Sequence, residues 1–487
     1  MSTKFLAGQA SLWVQPDGPN TEPKYLGCHS IGDIPEPKGD STILWCPDPA
    51  RSGKFIANSS FRGEPGTITT SIETDIRKTA DYLEDLAING CPFPLYIHKV
   101  SCGRRDVFSN FDRSFVLRGA DVTSSTLSKL ASRNPADEGE SMQSFDISVQ
   151  EVIRVFNMEM SRVSISETEE VTGIAACGES RCEGDCGASQ KPEDYLWLSS
   201  KALVGSTANT ADVLRSVKGA AFTATTSDPF AGGMDIQGIV CFQMSRDVTR
   251  ILVANGTTQA AHPAEIAYSD DAGASWTVVH LGTVNAEFVA DAKALYAQDR
   301  YHIWAGTSDG RIYFSSDAGV SWTVQENAVI SGTDIMAIHF SDDQYGMAIY
   351  TGGHVATTSD GGSTWSAGTI SGVTNGKDIH VLSQYAAWAV GSGGMVYTTD
   401  AGTTWMFRNT SNIAAIDFYS DLIGFAVGGT NTNDSVFMTI DGGYDWNTLP
   451  AVANSGFNNV MIISPKLAYV VGKINSATGF VGKIQPQ

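Results

Sequence analysis

Ser269-Asp270-Asp271-Ala272-Gly273-Ala274-Ser275-Trp276 is an octapeptide that this 487-residue chain repeats four more times. Its pattern is a hydroxyl residue, one free position, Asp, one free position, Gly, two positions and Trp. The later copies place Asp317, Gly319 and Trp322; Asp360, Gly362 and Trp365; Asp400, Gly402 and Trp405; and Asp441, Gly443 and Trp446. Successive aspartates are 46, 43, 40 and 41 residues apart. A fixed period of about 40–45 residues is the mark of an array of four-stranded units.

The residues between two copies alternate as strands do. Ile335–Phe340, Tyr345–Tyr350 and His354–Thr358 are short runs rich in β-branched and aromatic residues, cut by Gly, Asp and Ser clusters. Four strands of about five residues with their turns use up roughly 40 residues. One repeat is therefore one small antiparallel sheet, and the octapeptide is its last hairpin. The Asp accepts hydrogen bonds from N–H groups of its own turn, and the Gly takes the positive φ that the turn requires. The Trp opens the fourth strand and covers the gap to the neighbouring sheet.

These octapeptides resemble the Asp-box of sialidases and photosystem assembly factors. The resemblance covers about residues 220–487 and implies a β-propeller; it says little about activity, because unrelated functions share it. Five equivalent sites around a ring read as scaffold and not as catalytic groups. A worn copy without Trp occupies Thr226–Gly232. Three strand-like runs follow Trp446, so the segment Ala221–Gln237 is expected to complete the last blade. That scheme gives six blades, and a seventh is available from Asp194–Lys218.

The first part of the chain lacks the period. Strand candidates lie at Thr42–Cys46, Lys54–Asn58, Pro94–Val100, Arg113–Arg118, Ser144–Val149, Val152–Phe156 and Arg162–Ser166. An apolar stripe of Ile72, Ile76, Ala80, Leu83 and Ala87 predicts a helix over Ser71–Asn89. The expected fold is all-β: a β-sandwich domain with one helix at 1–175, a Cys/Gly/Glu-rich linker at 176–194, and an Asp-box propeller at 195–487.

Gly63–Thr70, the helix, Pro92–His98, Phe115–Thr123, a polar loop at Ser132–Ser141 and Ser144–Val149 together resemble the body of tail tube proteins of long-tailed phages. That likeness implies a structural virion protein. Its copies join into hexameric rings that stack into a DNA conduit, meet other tail proteins, and reside in the virion tail after assembly in the host cytoplasm. The family's extra C-terminal domain is usually immunoglobulin-like; a propeller departs from this, and would serve as an outer decoration meeting a host surface glycan or protein. A receptor-binding or adhesin protein docked to a particle by its N-terminal domain is the alternative, and an Asp-box glycoside hydrolase the second.

The net charge of −21 opposes binding to nucleic acid through phosphate neutralisation and to anionic membranes. Neither a secretory leader nor an apolar run of membrane-spanning length is visible. Sialidase chemistry needs clustered arginines, and Arg215, Arg246, Arg250, Arg300, Arg311 and Arg408 are scattered. No nucleophile elbow or phosphate loop is found, so no catalytic residue, cofactor or metal is assigned and the chain is expected not to be an enzyme. His302, His339 and His380 fall in strand-like runs, where core or interblade packing is expected. Cys177, Cys182 and Cys186 lack a fourth ligand nearby, leaving metal, disulfide and free thiol open.

Overall fold

The computed structural model describes residues 8–15, 20–31, 44–47, 55–58, 68–74, 83, 93–98, 114–128, 142–149, 151–155, 158–165, 170–177, 195–201, 212–217, 220–230, 234–245, 248–256, 264–281, 290–325, 332–409, 411–429, 433–475 and 478–486. Among the described residues, seven four-stranded antiparallel sheets follow the barrel-like sheet of the N-terminal part, one of them carrying a short fifth strand. Their first strands are Val171–Ala176, Asp235–Ser245, Ala292–Asp299, Ile335–Phe340, Asn375–Val381, Ile413–Phe418 and Ser455–Ser464. Each of these packs against the next, and the last packs against the first, so the ring closes. All seven surround one channel of about 800 Å³. Radial sheets about a common channel are a β-propeller.

The outward succession of residues explains why each sheet holds. Second strands such as Gly346–Tyr350 and Gly424–Gly428 are buried at every position, because both faces meet a neighbouring sheet. Fourth strands such as Thr323–Gln325 and Met406–Asn409 are exposed or half-buried. The apolar content of a repeat is thus spent on its inner strands, as small and β-branched residues between sheets.

Closure differs from the sequence expectation. The last sheet runs Ser455–Ser464, Leu467–Ile474, Thr478–Pro486 and then Met158–Arg162 on the outside. Met158 pairs with Pro486 and Arg162 with Gly482, so the strand that completes it precedes the ring instead of lying in Ala221–Gln237. Closing a ring with strands from its two ends lets backbone hydrogen bonds oppose its opening. Asp194–Lys218 does lie in a sheet: Tyr195–Ser200 and Val213–Val217 are the middle strands of the first one. Thr223–Ala224 is that sheet's fourth strand, so Thr226–Asp228 follows it and is not the turn between a third and a fourth strand.

In the N-terminal part, Phe93–His98, Gly8–Val14, Lys24–Ile31, Ile68–Thr74, Met142–Val149 and Ser114–Ser128 pair in that order, and the last pairs back to the first. Ser114–Ser128 can serve two neighbourhoods because it bends at Gly119, whose φ of 61° belongs to the left-handed region. A core of Leu12, Ile72, Leu95, Phe115, Phe145 and Ile147 fills this ring. Residues 71–74, expected to begin the helix, continue a strand against Phe145 and its neighbours instead. Leu83 is helical and fully buried; the remainder of the predicted helix lies outside the described residues, as does most of the 176–194 segment. Leu44–Pro47 and Phe55–Asn58 form a separate hairpin. No helix among the described residues is long and apolar enough to cross a membrane.

Candidate functional site

Four of the five octapeptides form the same hydrogen-bonded turn. At the second copy, Ser315 Oγ donates to Asp317 Oδ1 at 2.9 Å and accepts from Gly319 N at 2.9 Å. Asp317 accepts in turn from Ser321, at 2.8 Å from its backbone N–H and 2.5 Å from its hydroxyl. Asp271, Asp360 and Asp400 bind Ser275, Thr364 and Thr404 in the same way. Hydrogen bonds from Ser275, Thr364 and Thr404 hold the carboxyls of Asp271, Asp360 and Asp400 below their ordinary range. Burial pushes Asp317 up, but its bonds from Ser321 and Ser315 outweigh that and leave it lowered. These carboxylates are anionic turn locks, saturated by their own loop.

The sequence located the positive φ at the Gly, and the structure adds the residue before it. Ala272, Ala318 and Ala401 are left-handed, at φ of 60°, 62° and 58°, as are Gly361 and Gly442 in the other two copies. Two consecutive left-handed residues swing the loop onto the preceding sheet. A Cβ on Gly319 would stand 2.4 Å from Leu252 Cδ2 of that sheet. Trp304 donates to Gly361 O at 3.3 Å, and a Cβ on Gly443 would meet Trp388. The motif thus couples neighbouring sheets, a role that spacing alone does not reveal.

Two of the tryptophans close this loop, Trp322 and Trp405 donating to Gly319 O and Gly402 O at 3.1 Å, whereas Trp276 donates to Ser227 O of the preceding sheet's end at 3.0 Å. Trp365 and Trp446 stand edge-on to Phe340 and Phe418. The arginines are dispersed over the same scaffold. Arg250 pairs with Asp270 at 2.6 Å and reaches Ala318 O of the next sheet at 3.0 Å. Arg311 pairs with Asp309, Arg300 bonds Met244 O, and Arg215 lies over Tyr195 and Trp197. None of them lines the channel among its described walls; Arg246 lies outside the described residues.

The fifth octapeptide departs from the rest. Asp445 replaces the hydroxyl residue, and its backbone N–H reaches both oxygens of Asp441 at 3.1 Å. Asp441 is fully buried, because the N-terminal barrel sits on it. Gln15 Nε2 and Asn20 N both donate to Asp441 O, at 3.1 and 2.9 Å. The Tyr96 hydroxyl donates to Gln15 Oε1, and Arg408 reaches back to Asn20 Oδ1 at 3.0 Å. Tyr96, Val116 and Ile153 of the barrel share one core with Leu422, Met438 and Ile440 of the propeller. Burial pushes Asp441 up to about 7, against the bonds from Thr439 and Asp445 and aided by the Asp445 carboxylate.

Inside the channel, equivalent positions of four consecutive first strands carry Tyr296, His339, His380 and Asp417. Tyr296 and His339 have ring centroids 4.7 Å apart, His339 and His380 4.1 Å. His380 Nδ1 lies 3.4 Å from Asp417 Oδ1, and Val381 N donates to His339 Nδ1 at 3.1 Å. His302 instead faces Asp299 at 3.0 Å, at the start of its strand. No group of three metal-ligating side chains occurs among the described residues. Cys177 is disulfide-bonded to Cys241, joining the first strands of two neighbouring sheets. It therefore does not act with Cys182 and Cys186, which lie outside the described residues.

No protein-family model matches this chain, and no curated protein matches its sequence. Among solved structures, the chain is similar to YCF48 bound to D1 peptide, at 13% identity and a TM-score of 0.49, over 68% of this chain and 97% of that one. YCF48 from Cyanidioschyzon merolae is similar at 17% identity and 0.48, over 67% and 98%. The RRP9 WD40 repeats are similar at 8% and 0.48, over 68% and 100%.

Proposed function

We propose that this chain is a structural subunit of a virion tail tube, in which the N-terminal barrel joins copies into rings and a seven-bladed propeller decorates the outside. The observation that supports this reading is a strand edge. Ser114–Arg118 pairs on both sides, with Phe93–His98 and with Glu151–Val155. Asp121–Ser128 pairs only with Met142–Val149 among the described residues. A strand whose other flank offers N–H and C=O groups is a template for a strand of another copy. The stretch is rich in Ser and Thr, which keeps such an edge soluble before assembly.

The propeller's contribution is mechanical in this reading. Firm seating of the barrel on the fifth octapeptide fixes the orientation of the propeller relative to any ring. Repetition along a tube would then turn weak contacts with a host glycan or protein into avidity. Light scattering and negative-stain imaging of the full chain test the assembly. Rings or tubes are expected, and Ser125→Lys, which puts a charge on the edge strand, is expected to leave single copies. A wild-type chain that stays monomeric at high concentration would refute the proposal in favour of a receptor-binding protein.

A further inference from the structure

One end of the propeller channel carries cations that the rest of this acidic chain would not lead one to expect. Lys201, Lys293, Lys377 and Lys473 all line it. Strand register places them at the same end. Lys473 pairs with Gly456 near the start of its first strand, and Lys201 N bonds Glu170 O just before another. Lys293 and Lys377 lie within three residues of the starts of theirs.

The acids that steady these lysines sit behind them and not on the channel wall. Glu170 Oε1 takes Lys201 at 3.2 Å and Oε2 takes Lys473 at 3.0 Å, while Asn458 Nδ2 holds the same carboxylate at 2.8 Å. Two ammonium groups on one carboxylate leave a fixed positive charge at that point. Lys293 is held by Asp334 at 2.7 Å. Lys377 has no carboxylate partner among the described residues. With Glu170 and Asp334 behind the lysines and Asp378 on the wall beside Lys377, four cations stand against three acids at this mouth, an excess of one positive charge inside a protein of net charge −21. Because Lys201, Lys293 and Lys473 are half-buried and braced, these three have little side-chain freedom left to lose on binding.

We infer that this mouth binds a small acidic saccharide, a sugar bearing a carboxylate or sulfate. The ammonium groups supply the charge recognition. Beside them, the Gln237, Asn375 and Asn459 amides line the same wall, and such groups match sugar hydroxyls, since an amide both donates and accepts. At Gly173, Gly238 and Gly376 a Cβ would meet Ile239, Leu295 and Ile349 of the neighbouring sheets, so the wall there is main chain packed directly against them. The mouth opens into the whole channel of about 800 Å³, a volume in the range of small-molecule sites.

This inference rests on the propeller as the binding module of the proposed function, and not on ring assembly. A chain that binds sugar but stays monomeric would remove only the tail-tube reading. Calorimetric titration of the full chain with a sulfated or uronic-acid disaccharide is the test, run beside its uncharged counterpart and inorganic sulfate. The acidic disaccharide is expected to bind at least about tenfold more tightly than either control, and more weakly as salt rises. Lys377→Gln should weaken it about tenfold with an unchanged thermal midpoint, whereas Lys483→Gln, outside the channel wall, should not. Equal binding of the uncharged sugar, equal binding of inorganic sulfate, or indifference to Lys377→Gln would each overturn the assignment. If Lys377→Gln does not fold, competition by sulfate and the salt dependence of the wild-type chain decide the matter.

Discussion

Gln15 and Asp441, 426 residues apart in the chain, are joined by a 3.1 Å hydrogen bond from the Gln15 amide to the Asp441 carbonyl. The contact makes one of the five repeated turns part of a seam between the barrel and the propeller. Because Gln15 is fully buried and also bonds Thr21 O and Tyr96, the seam is a fixed joint. Gln15→Ala would remove one hydrogen bond each from the Tyr96 hydroxyl and the Asp441 carbonyl, at a cost of about 1–3 kcal/mol. Thermal unfolding of that variant should show the loss, and an unchanged midpoint would count against a fixed joint.

Where the chain can be divided follows from the closing strand. A fragment starting at residue 195 lacks Met158–Arg162 and Val171–Ala176, the outer strand of the last sheet and the inner strand of the first. It should be insoluble or largely unfolded, whereas a fragment starting at residue 157 should show a cooperative transition. Circular dichroism of both fragments checks this, and equal folding of the two would show that the ring does not depend on these strands.

Protonation of Asp441 gives a pH dependence of defined sign. Burial raises its folded-state value to about 7, while an unfolded chain has about 3.9. Between these limits the folded protein holds the extra proton, so stability is greatest at the acidic end and falls as pH rises towards and through 7. Asp378, half-buried on the channel wall and accepting from Ile416 N and Ile379 N, is also pushed up to about 7 by desolvation and acts in the same direction. The combined loss from pH 5 to pH 8 should amount to a few kcal/mol. Urea midpoints across that range should fall, and Asp441→Asn should flatten the fall. A midpoint that climbs with pH would contradict the burial.

Left-handed alanines in the turns offer stabilising changes. An L-residue in that conformation is strained by about 1–2 kcal/mol, and glycine gives back part of the gain through its freer unfolded chain. Ala318→Gly should therefore raise stability by about 0.5–1 kcal/mol. Gly319→Ala next to it should lower stability by about 2 kcal/mol or more, since its methyl meets Leu252 as well as the φ restriction. Denaturation of the two single variants gives opposite shifts if the turn geometry is right, and shifts of the same sign if it is not.

Reduction should loosen the ring at one place. The Cys177–Cys241 bond closes a stretch of 64 residues, and a crosslink of that span contributes about 2–4 kcal/mol. Cys177→Ala and treatment with reductant should lower the thermal midpoint by the same amount. A reductant effect that persists in the variant would point to other cysteines.

Spacing and residue type carried much of the fold into the sequence. The five Asp-Gly-Trp turns could be read because each is local: the hydroxyl, the carboxylate and the donating N–H groups lie within seven residues. Ile72 could not be assigned so easily. Its apolar spacing fits a helix, yet residues 68–74 pair with 143–149, and that partner is distant in the chain. The worn copy at Thr226 misled for the same reason, since Asp228 follows a fourth strand of only two residues. The lysine cluster of the channel was invisible as well, because Lys201, Lys293, Lys377 and Lys473 belong to different sheets.

By itself, the sequence determined the sheet-forming repeat, its turns and the all-β character of the chain, since these depend on neighbours a few residues apart. Only the tertiary structure decided that Met158–Arg162 closes the ring, that the barrel buries Asp441, and that four lysines share one channel mouth. Those relations join residues up to several hundred positions apart, and what selects them is the burial of apolar faces and the pairing of free strand edges after the local units have formed.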